Sequence, residues 1–324
     1  MLETILGGYS VGLVVGFFVT VVLCLIIDLK AHGADKPISI SNAAGWSAIW
    51  ITLALAFAGY IGHAYGGEKA SMFLAGYFLE KSLSVDNLFV IMAIFSSFAI
   101  GAHAQHRALY FGIIGALVMR LVFIAFGTAL AAMSPWVLVG FGVFVLWTAY
   151  QMATTNEADS EVEDYSNHFS VKWTKKFLPV TTKLHGEKFF VTVNGLLSAT
   201  PLFLALVCVE VADVMFAFDS IPAVIAITPD PVLVYTSNIF AILGLRSLYF
   251  LLVAAKKYLV HLEKAVVGIL AFVGLKMIFG SLNVLHISAN LSLAVVIGGL
   301  VIGIVSSFFF PGDGKRKEMV PVVD

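Results

Sequence analysis

The 324-residue chain is poor in charged residues, and this shortage restricts the class of protein it can belong to. Only 12% of its residues are charged, against roughly 25% in soluble domains, and 60% are hydrophobic. The mean hydropathy is +0.97. This composition excludes an ordinary soluble domain and predicts a polytopic membrane protein that lies in a lipid bilayer. The formal net charge of −1 gives no reason to expect nucleic acid as a partner.

Cysteine is scarce as well, because the chain holds only Cys24 and Cys208. Both lie within apolar runs, and no Cys-x-x-Cys pair occurs, so neither a redox pair nor a thiolate metal site is indicated. We interpret both as small buried apolar residues. The N-terminus also lacks the basic segment of a signal peptide, so we expect the first apolar run to be a retained span.

Long apolar runs divide the chain into nine segments, each long enough for the ~20 residues that cross a bilayer as a helix, and the two at 71–99 and 195–228 are longer than a straight crossing requires. They are residues 9–28, 42–62, 71–99, 108–132, 135–153, 195–228, 232–254, 264–282 and 288–310. The polar link at 154–190 begins acidic and becomes basic, and we expect a solvated loop with a short amphipathic helix there. The predicted fold is an all-α polytopic membrane protein with nine transmembrane helices.

Basic residues are distributed unevenly between the two sets of alternate loops. One set contains only Lys69. The other set contains Lys30, Lys36, Arg107, Lys172, Lys175, Lys176, Lys183, Lys188, Lys256, Lys257, Lys264, Lys315, Arg316 and Lys317. Because cytoplasmic loops carry the positive excess, the sequence predicts an N-terminus outside and a cytoplasmic C-terminus.

Charged side chains also occur within the predicted spans. They are five acids and four bases: Glu80, Asp86, Glu210, Asp213, Asp219, Lys81, Arg120, Arg246 and Lys276. An ionised carboxylate at bilayer depth costs about 2.5–3.5 kcal/mol on insertion scales, so three of them within residues 210–219 indicate a function. The bases either pair with acids and hold helices together or line an aqueous cavity beside them.

The two acidic stretches are similar to each other, which suggests an internal repeat. Residues 80–87 and 213–220 each read acid, five residues, Asp, then Asn or Ser. Two later pairs of stretches match in the same order: 115–120 with 241–246, and 144–152 with 270–277. Each repeat has three spans, and the two enter the membrane from opposite sides. Transporters use such inverted repeats to place a site at the membrane midplane.

We therefore treat the chain as one transmembrane domain with five parts. These are two N-terminal spans at 1–70, repeat 1 at 71–153, a cytoplasmic loop at 154–190, repeat 2 at 191–282, and the last span with a cytoplasmic tail at 283–324. Helical spacing places Glu80 with Asn87 on one helix face, and Asp213 with Ser220 on another. Pro222 favours a helix break that would turn the remaining aspartates towards the same site.

The candidate ligands within the spans are all oxygen donors, including the hydroxyl of Ser84, and none of the eight histidines lies deep in a span. Such donors suit Mg²⁺, Ca²⁺ or Mn²⁺. The predicted metal site consists of Glu80, Asp86, Asn87, Glu210, Asp213, Asp219 and Ser220. We expect four ion-pairing or gating residues around it: Lys81, Arg120, Arg246 and Lys276.

Three stretches resemble the TerC family of integral membrane proteins, and its Alx branch in particular: residues 80–90, 210–223 and 237–250. The resemblance extends from about Ala44 to Phe310. It implies a bacterial inner-membrane protein of a family named for tellurium resistance, with a role in manganese homeostasis by export. The acidic motifs of the family fall on the residues of the predicted metal site. Gln151 departs from the pattern, because close relatives have lysine there, as this chain has at Lys276.

We therefore expect a membrane transporter that moves divalent cations, with Mn²⁺ as its substrate, and that has no organic cofactor and no enzymatic activity. The outward direction of transport is implied by the resemblance alone. Two alternatives stay open: a non-transporting membrane scaffold or metal-loading partner for secreted proteins, and an intramembrane aspartyl protease. No Gly-x-Gly-Asp motif occurs, and five acids exceed the two that a protease needs. The sequence identifies no protein partner.

Overall fold

A computed structural model describes residues 8–31, 40–154, 165, 168–193, 195–255 and 261–309. Within these ranges the chain forms eleven helices and one β-hairpin. The helices are α1 Val11–Ala31, α2 Ile40–Tyr65, α3 Gly67–Ser97, α4 Ala102–Met133, α5 Pro135–Thr154, α6 Phe169–Phe177, α7 Pro201–Ile227, α8 Pro231–Ile242, α9 Leu245–Ala255, α10 Leu262–Ser281 and α11 Ala289–Phe309. The strands are β1 Phe190–Val193 and β2 Leu196–Ala199.

Six of these helices are long and apolar enough to cross a membrane: α1, α2, α4, α5, α7 and α11. The pair α8 and α9, which is bent by 46°, would make a seventh span. Helices α3 and α10 are as long but contain five and three charged residues. The helices lie where the apolar runs predicted them, and the polar link contains the expected short helix, α6. The count of nine spans stays a prediction.

The predicted all-α membrane fold is confirmed in its helical character, but the predicted span 195–228 was wrong at its start, since residues 190–199 form an antiparallel hairpin. The sequence carries the signal for it, because β-branched residues at 191–193 precede an Asn-Gly pair, which suits a two-residue hairpin turn. Gly195 has φ +80°, in the left-handed region that this turn requires. Helix α7 therefore begins at Pro201, with the Thr200 hydroxyl accepting a hydrogen bond from the backbone N–H of Phe203.

The predicted helix break at Pro222 is not observed, because α7 continues through it to Ile227. Pro222 removes one backbone hydrogen bond, but Ile221, Pro222 and Ala223 are all buried in the bundle. Packing of this apolar turn keeps the helix intact, with Ile221 close to Gly127 of α4.

The break lies instead between α8 and α9, where Gly244 has φ +83°. A β-carbon on Gly244 would overlap the Trp50 ring, so both the backbone angle and the packing require glycine.

The long helices are apolar on the outside and carry polar groups within. On α4, Val118, Val122 and Phe126 are exposed, whereas Arg120 and Ile124 are buried. This pattern is the reverse of a soluble helix and is typical of a surface in contact with lipid.

Helices α5 and α10 cross closely at two glycines. A β-carbon on Gly142 would lie 2.9 Å from the Gly274 carbonyl oxygen, and one on Gly274 would lie 3.0 Å from that of Gly142. Small residues at the contact let two transmembrane backbones approach in this way. The other extensive helix contacts are α4 with α7 and α3 with α8.

Polar contacts tie the chain together at both ends of the bundle. At one end, the Tyr9 hydroxyl donates to Asp230 Oδ2 at 2.7 Å, and Lys69 Nζ lies 3.7 Å from the same oxygen. Burial and the adjacent Asp230 carboxylate raise the pKa of Tyr9 far above its usual value. At the other end, Glu187 pairs with His103 at 2.9 Å and with Arg107 at 3.9 Å. The link between α2 and α3 and the link between α7 and α8 therefore lie at the same end of the bundle. The link between α3 and α4 lies at the other end, together with the hairpin segment.

Candidate functional site

A buried cluster of polar side chains lies near the middle of the long helices, and we call it the Arg120 cluster. It consists of Glu80, Arg120, Asp213, Ser220 and Asn238, on α3, α4, α7 and α8. Arg120 is 1% exposed and Glu80 is fully buried. One guanidinium nitrogen, Nη1, donates to Glu80 Oε1, to Asn238 Oδ1 and, at 3.3 Å, to Ser220 Oγ. A single arginine thus joins three neighbouring helices to α4.

The acids of this cluster outnumber its base. The Asp213 carboxylate interacts electrostatically with both Arg120 and Glu80, so two carboxyl groups share one guanidinium. Glu80 Oε2 and Asp213 Oδ2 are buried and have no hydrogen-bond partner among the described atoms. A buried acceptor without a partner retains its full desolvation cost. These two carboxylate oxygens can therefore each accept a cation or a proton.

Glu210 extends the acidic region by one helical turn from Asp213, with which it interacts electrostatically. Its carboxylate lies directly against Gly115 of α4, where a β-carbon would overlap it. Any side chain at position 115 would occupy the space that the Glu210 carboxylate fills, so the carboxylate could not lie there. Gly115 is therefore part of the packing that places Glu210.

Asp219 belongs to a different surface of α7. Its Oδ1 accepts a hydrogen bond from the Thr148 hydroxyl of α5 at 3.4 Å. Because α7 is continuous, Asp219 stays off the face that carries Asp213 and Ser220, and the break that would have turned it inward is absent. Asn87 is half-buried. The side chain of Asp86 lies outside the described part of the structure.

Ser84 was expected to be an oxygen donor, but its hydroxyl is used within its own helix. It donates to the Glu80 carbonyl at 2.7 Å, and Ser82 likewise donates to the Leu79 carbonyl at 2.6 Å. Such local hydrogen bonds are common for hydroxyls that face a helix backbone.

The other three intramembrane bases lie apart from the Arg120 cluster. Arg246 pairs with Asp28 of α1, with 2.8 Å between Nη2 and Oδ2, and also donates to the Asp28 carbonyl. Lys81 donates to the Ala241 carbonyl at 3.1 Å, and Lys276 to the Ile227 carbonyl at 3.3 Å. Both lysines thus meet the C-terminal turn of a helix, where the backbone carries partial negative charge.

Two residues of these networks were not among the predicted site residues. Asn238 is fully buried and accepts from Arg120, and Asp28 is the partner of Arg246. Both had a signal in the sequence: each is a polar side chain inside or at the edge of an apolar run, and such residues face the bundle interior. The separate pairing of Arg246 with Asp28 could not be read from spacing, because it joins the first span to the second repeat.

The donor set suits a hard divalent cation, since carboxylate, amide and hydroxyl oxygens meet at Arg120. Among the described side chains, no group of three or more His, Cys, Asp and Glu is close enough to hold a metal ion. In this arrangement Arg120 occupies one oxygen of Glu80.

Long helices with apolar outer faces and a buried charged cluster define a multi-pass integral membrane protein. Residues 65–314 match the family described as "Integral membrane protein TerC family". The chain belongs to this family.

Relatives under two names are similar to the chain over most of their length. "Tellurium resistance protein TerC" of Serratia marcescens is 46% identical over 337 residues, covering 96% of this chain and 97% of that protein. The Alcaligenes sp protein of the same name is 44% identical over 346 residues, covering 98% and 100%. "Putative membrane-bound redox modulator Alx" of Escherichia coli strain K12 is 43% identical over 296 residues, covering 88% and 91%. No solved structure matches the chain.

Proposed function

We propose that the protein is a transporter of divalent metal cations, with Mn²⁺ as the substrate moved outward across the bacterial inner membrane. The observation that carries this proposal is the pair of buried carboxylate oxygens without partners, Glu80 Oε2 and Asp213 Oδ2. The folded protein already keeps these two carboxyl groups away from water, so a cation that binds them does not have to desolvate them. The oxygen-only donor set favours Mn²⁺, Ca²⁺ or Mg²⁺ over softer metals.

Arg120 acts as the internal counter-ion of this site when no substrate is bound. Entry of a divalent cation makes Glu80 exchange its bond to Arg120 for a bond to the metal. The guanidinium keeps its hydrogen bonds to Asn238 and Ser220 during this exchange, so its N–H groups are not left without acceptors. Positive charge at Arg120 also limits the site to one cation at a time, because like charges repel strongly at low dielectric.

Helix packing supports the proposal that residues 71–153 and 191–282 form an inverted repeat. Glu80 and Asp213 are counterparts in the two repeats, and they lie together around Arg120. In the two repeats, α3 corresponds to α7 and α4 corresponds to α8. The contact between α4 and α7 therefore has its counterpart in the contact between α8 and α3, and both contacts are extensive. The third helices of the repeats, α5 and α10, meet each other at Gly142 and Gly274. A midplane site between such repeats is accessible from alternate sides of the membrane.

The proposed orientation places the end with α6 in the cytoplasm, because lysines concentrate there. A cysteine introduced at His286, in the link between α10 and α11, should react with an impermeant reagent on intact cells. A cysteine at Lys188 should react only after permeabilisation, and the opposite pattern would reverse the topology.

Mn²⁺ flux into proteoliposomes that contain only this protein tests the proposed function. Wild type should transport Mn²⁺, whereas Glu80→Gln and Asp213→Asn should reduce flux to that of protein-free vesicles. Glu68→Gln, at the exposed start of α3, is the matched control and should transport normally. Folded wild-type protein without flux would contradict the proposal and favour the alternative of a scaffold or metal-loading partner.

Gly115→Ala is expected to weaken Mn²⁺ affinity by about 10–100-fold, the range observed when a group that orients a metal ligand is lost. The added β-carbon takes the place of the Glu210 carboxylate. Combining it with Glu210→Asp, which shortens the acid by one methylene, should restore part of the affinity. Bound Mn²⁺ on purified variants gives the measurement, and Gly140→Ala, where a β-carbon meets nothing, is the control. Unchanged affinity in Gly115→Ala would remove Glu210 from the site.

The other functional classes have less support from the geometry. An intramembrane protease needs paired aspartates on adjacent spans, and no such pair is among the contacts of the described side chains, which do not include Asp86. Asp213 and Asp219 lie on one helix and contact different neighbours. The redox name of the Alx relatives also gains no support from the thiols of this chain. Cys24 and Cys208 are both buried and unbridged, and they lie in separate core clusters.

A further inference from the structure

The short helix α6 presents three different surfaces around its axis. Ser170, Val171 and Thr174 are buried. Phe169, Trp173 and Phe177 are 61%, 69% and 65% exposed and follow one another at four-residue intervals. On a helix this interval places the three rings within a sector roughly 80° wide. Lys172, Lys175 and Lys176 are exposed and form the third surface. Lys172 and Lys176 border the aromatic sector, and Lys175 lies between Lys172 and the buried Val171.

The buried side of α6 fixes the helix against α7. The Ser170 hydroxyl lies 3.2 Å from Cys208 Sγ, and Val171 packs in the same core cluster as Cys208. Cys208 is seven residues after the start of α7, about 10 Å along that helix. Helix α6 is therefore held beside the first two turns of α7, close to the N-terminal end of a candidate membrane span.

Exposed aromatic rings at this end of the span are unfavourable if water surrounds them and favourable if they lie in the membrane interface. Tryptophan is enriched in this layer because its ring is apolar and its N–H needs a polar partner. A helix with aromatic residues on one face and lysines on the next is typical of segments that lie in the interface plane. Three adjacent lysines complement the negative charge of anionic phospholipid headgroups.

We propose that α6 is an interfacial helix that inserts Phe169, Trp173 and Phe177 among the lipids and binds anionic phospholipid through Lys172, Lys175 and Lys176. The observations that carry this are the exposed rings, the charge of the adjacent lysines, and the fixed position of the helix beside α7. This lipid site is independent of the proposed metal transport.

Fluorescence quenching in vesicles tests the depth of α6. The full-length protein is reconstituted in phosphatidylcholine, and the emission of Trp173 is obtained as the difference between wild type and Trp173→Phe. Lipids brominated high on the acyl chain should quench this emission strongly, and aqueous iodide should quench it weakly. Strong quenching by iodide with none by brominated lipid would show that α6 faces water and would overturn the proposal.

A second experiment tests the lipid charge. A small fraction of brominated phosphatidylglycerol should quench Trp173 several-fold more than the same fraction of brominated phosphatidylcholine. The triple variant Lys172→Gln, Lys175→Gln and Lys176→Gln should lose this preference, and arginine at the same positions should keep it. Lys183→Gln with Lys188→Gln, at exposed loop positions, is the matched control and should also keep it. Equal quenching by the two lipids in wild type, or equal loss in the control, would contradict anionic lipid binding by α6.

Discussion

Replacing Arg120 by methionine is expected to destabilise the protein by about 3–5 kcal/mol, because a buried ion pair that loses one member leaves an uncompensated charge. Glu80 is fully buried and has Arg120 as its ion-pair partner. Asn238 and Ser220 lose their hydrogen-bond donor at the same time. Methionine keeps much of the side-chain volume, so the change removes charge and hydrogen bonds while leaving no large cavity. The effect should appear as a lower unfolding temperature in detergent and a lower yield of folded protein.

The double variant Glu80→Gln with Arg120→Met separates loss of the ion pair from general damage. Removing both charges should recover the part of the stability that depends on the charge of Glu80, since replacing a buried pair is far less costly than breaking it. The Asp213 carboxyl, which shares the guanidinium, still loses its base. Arg107→Met is the matched control, because Arg107 is exposed and its contact to Glu187 is 3.9 Å. A double variant as unstable as Arg120→Met alone would show that charge on Glu80 is not the source of the damage.

The helix positions could be predicted from the sequence because length and hydrophobicity are local properties. Apolar runs near 20 residues have few alternatives to a helix in a bilayer, since every backbone polar group must be satisfied within the segment. The same reasoning singled out Glu80, Arg120, Asp213 and Ser220, which the structure brings together. Charged residues in apolar spans are costly enough that they must meet one another or a cavity.

The partners of each charge could not be predicted, because they depend on which helices pack together. Arg246 meets Asp28 across a sequence separation of 218 residues, and Lys81 meets a backbone carbonyl that no side-chain pattern reveals. The prediction of a helix break at Pro222 was wrong for a related reason. Proline removes one hydrogen bond locally, but the turn around it is buried, and its packing keeps α7 continuous through that position.

The separation of Asp219 from the Arg120 cluster follows directly from that continuity. A regular helix turns about 100° per residue, so residues 213 and 219 lie on different faces. The hairpin was missed for another reason, because its second strand is itself apolar and merges with the run that becomes α7. Turn chemistry at residues 194–195, not hydrophobicity, marked the boundary.

The apparent affinity for Mn²⁺ is expected to rise with pH, by about tenfold per pH unit for each proton that the metal displaces. Metal and protons compete for the same oxygens, and Glu80 Oε2 and Asp213 Oδ2 have no other partner among the described atoms. The sign follows from mass action: raising the pH removes the competing proton and strengthens metal binding, and lowering the pH does the reverse. Binding should therefore release protons, which a pH indicator in weakly buffered solution detects directly.

Substitution of the acids shows which of them exchange the proton. Asp213→Asn removes one site of competition, so the remaining binding should depend less steeply on pH, whereas Glu68→Gln, in the exposed first turn of α3, should leave the slope unchanged.

The same competition makes metal–proton exchange possible, because a proton can occupy the oxygens on the return step. Mn²⁺ flux in proteoliposomes at clamped voltage should then respond to an imposed pH gradient. An affinity that is flat between about pH 6 and pH 9, together with flux insensitive to the gradient, would rule out exchange at these carboxylates.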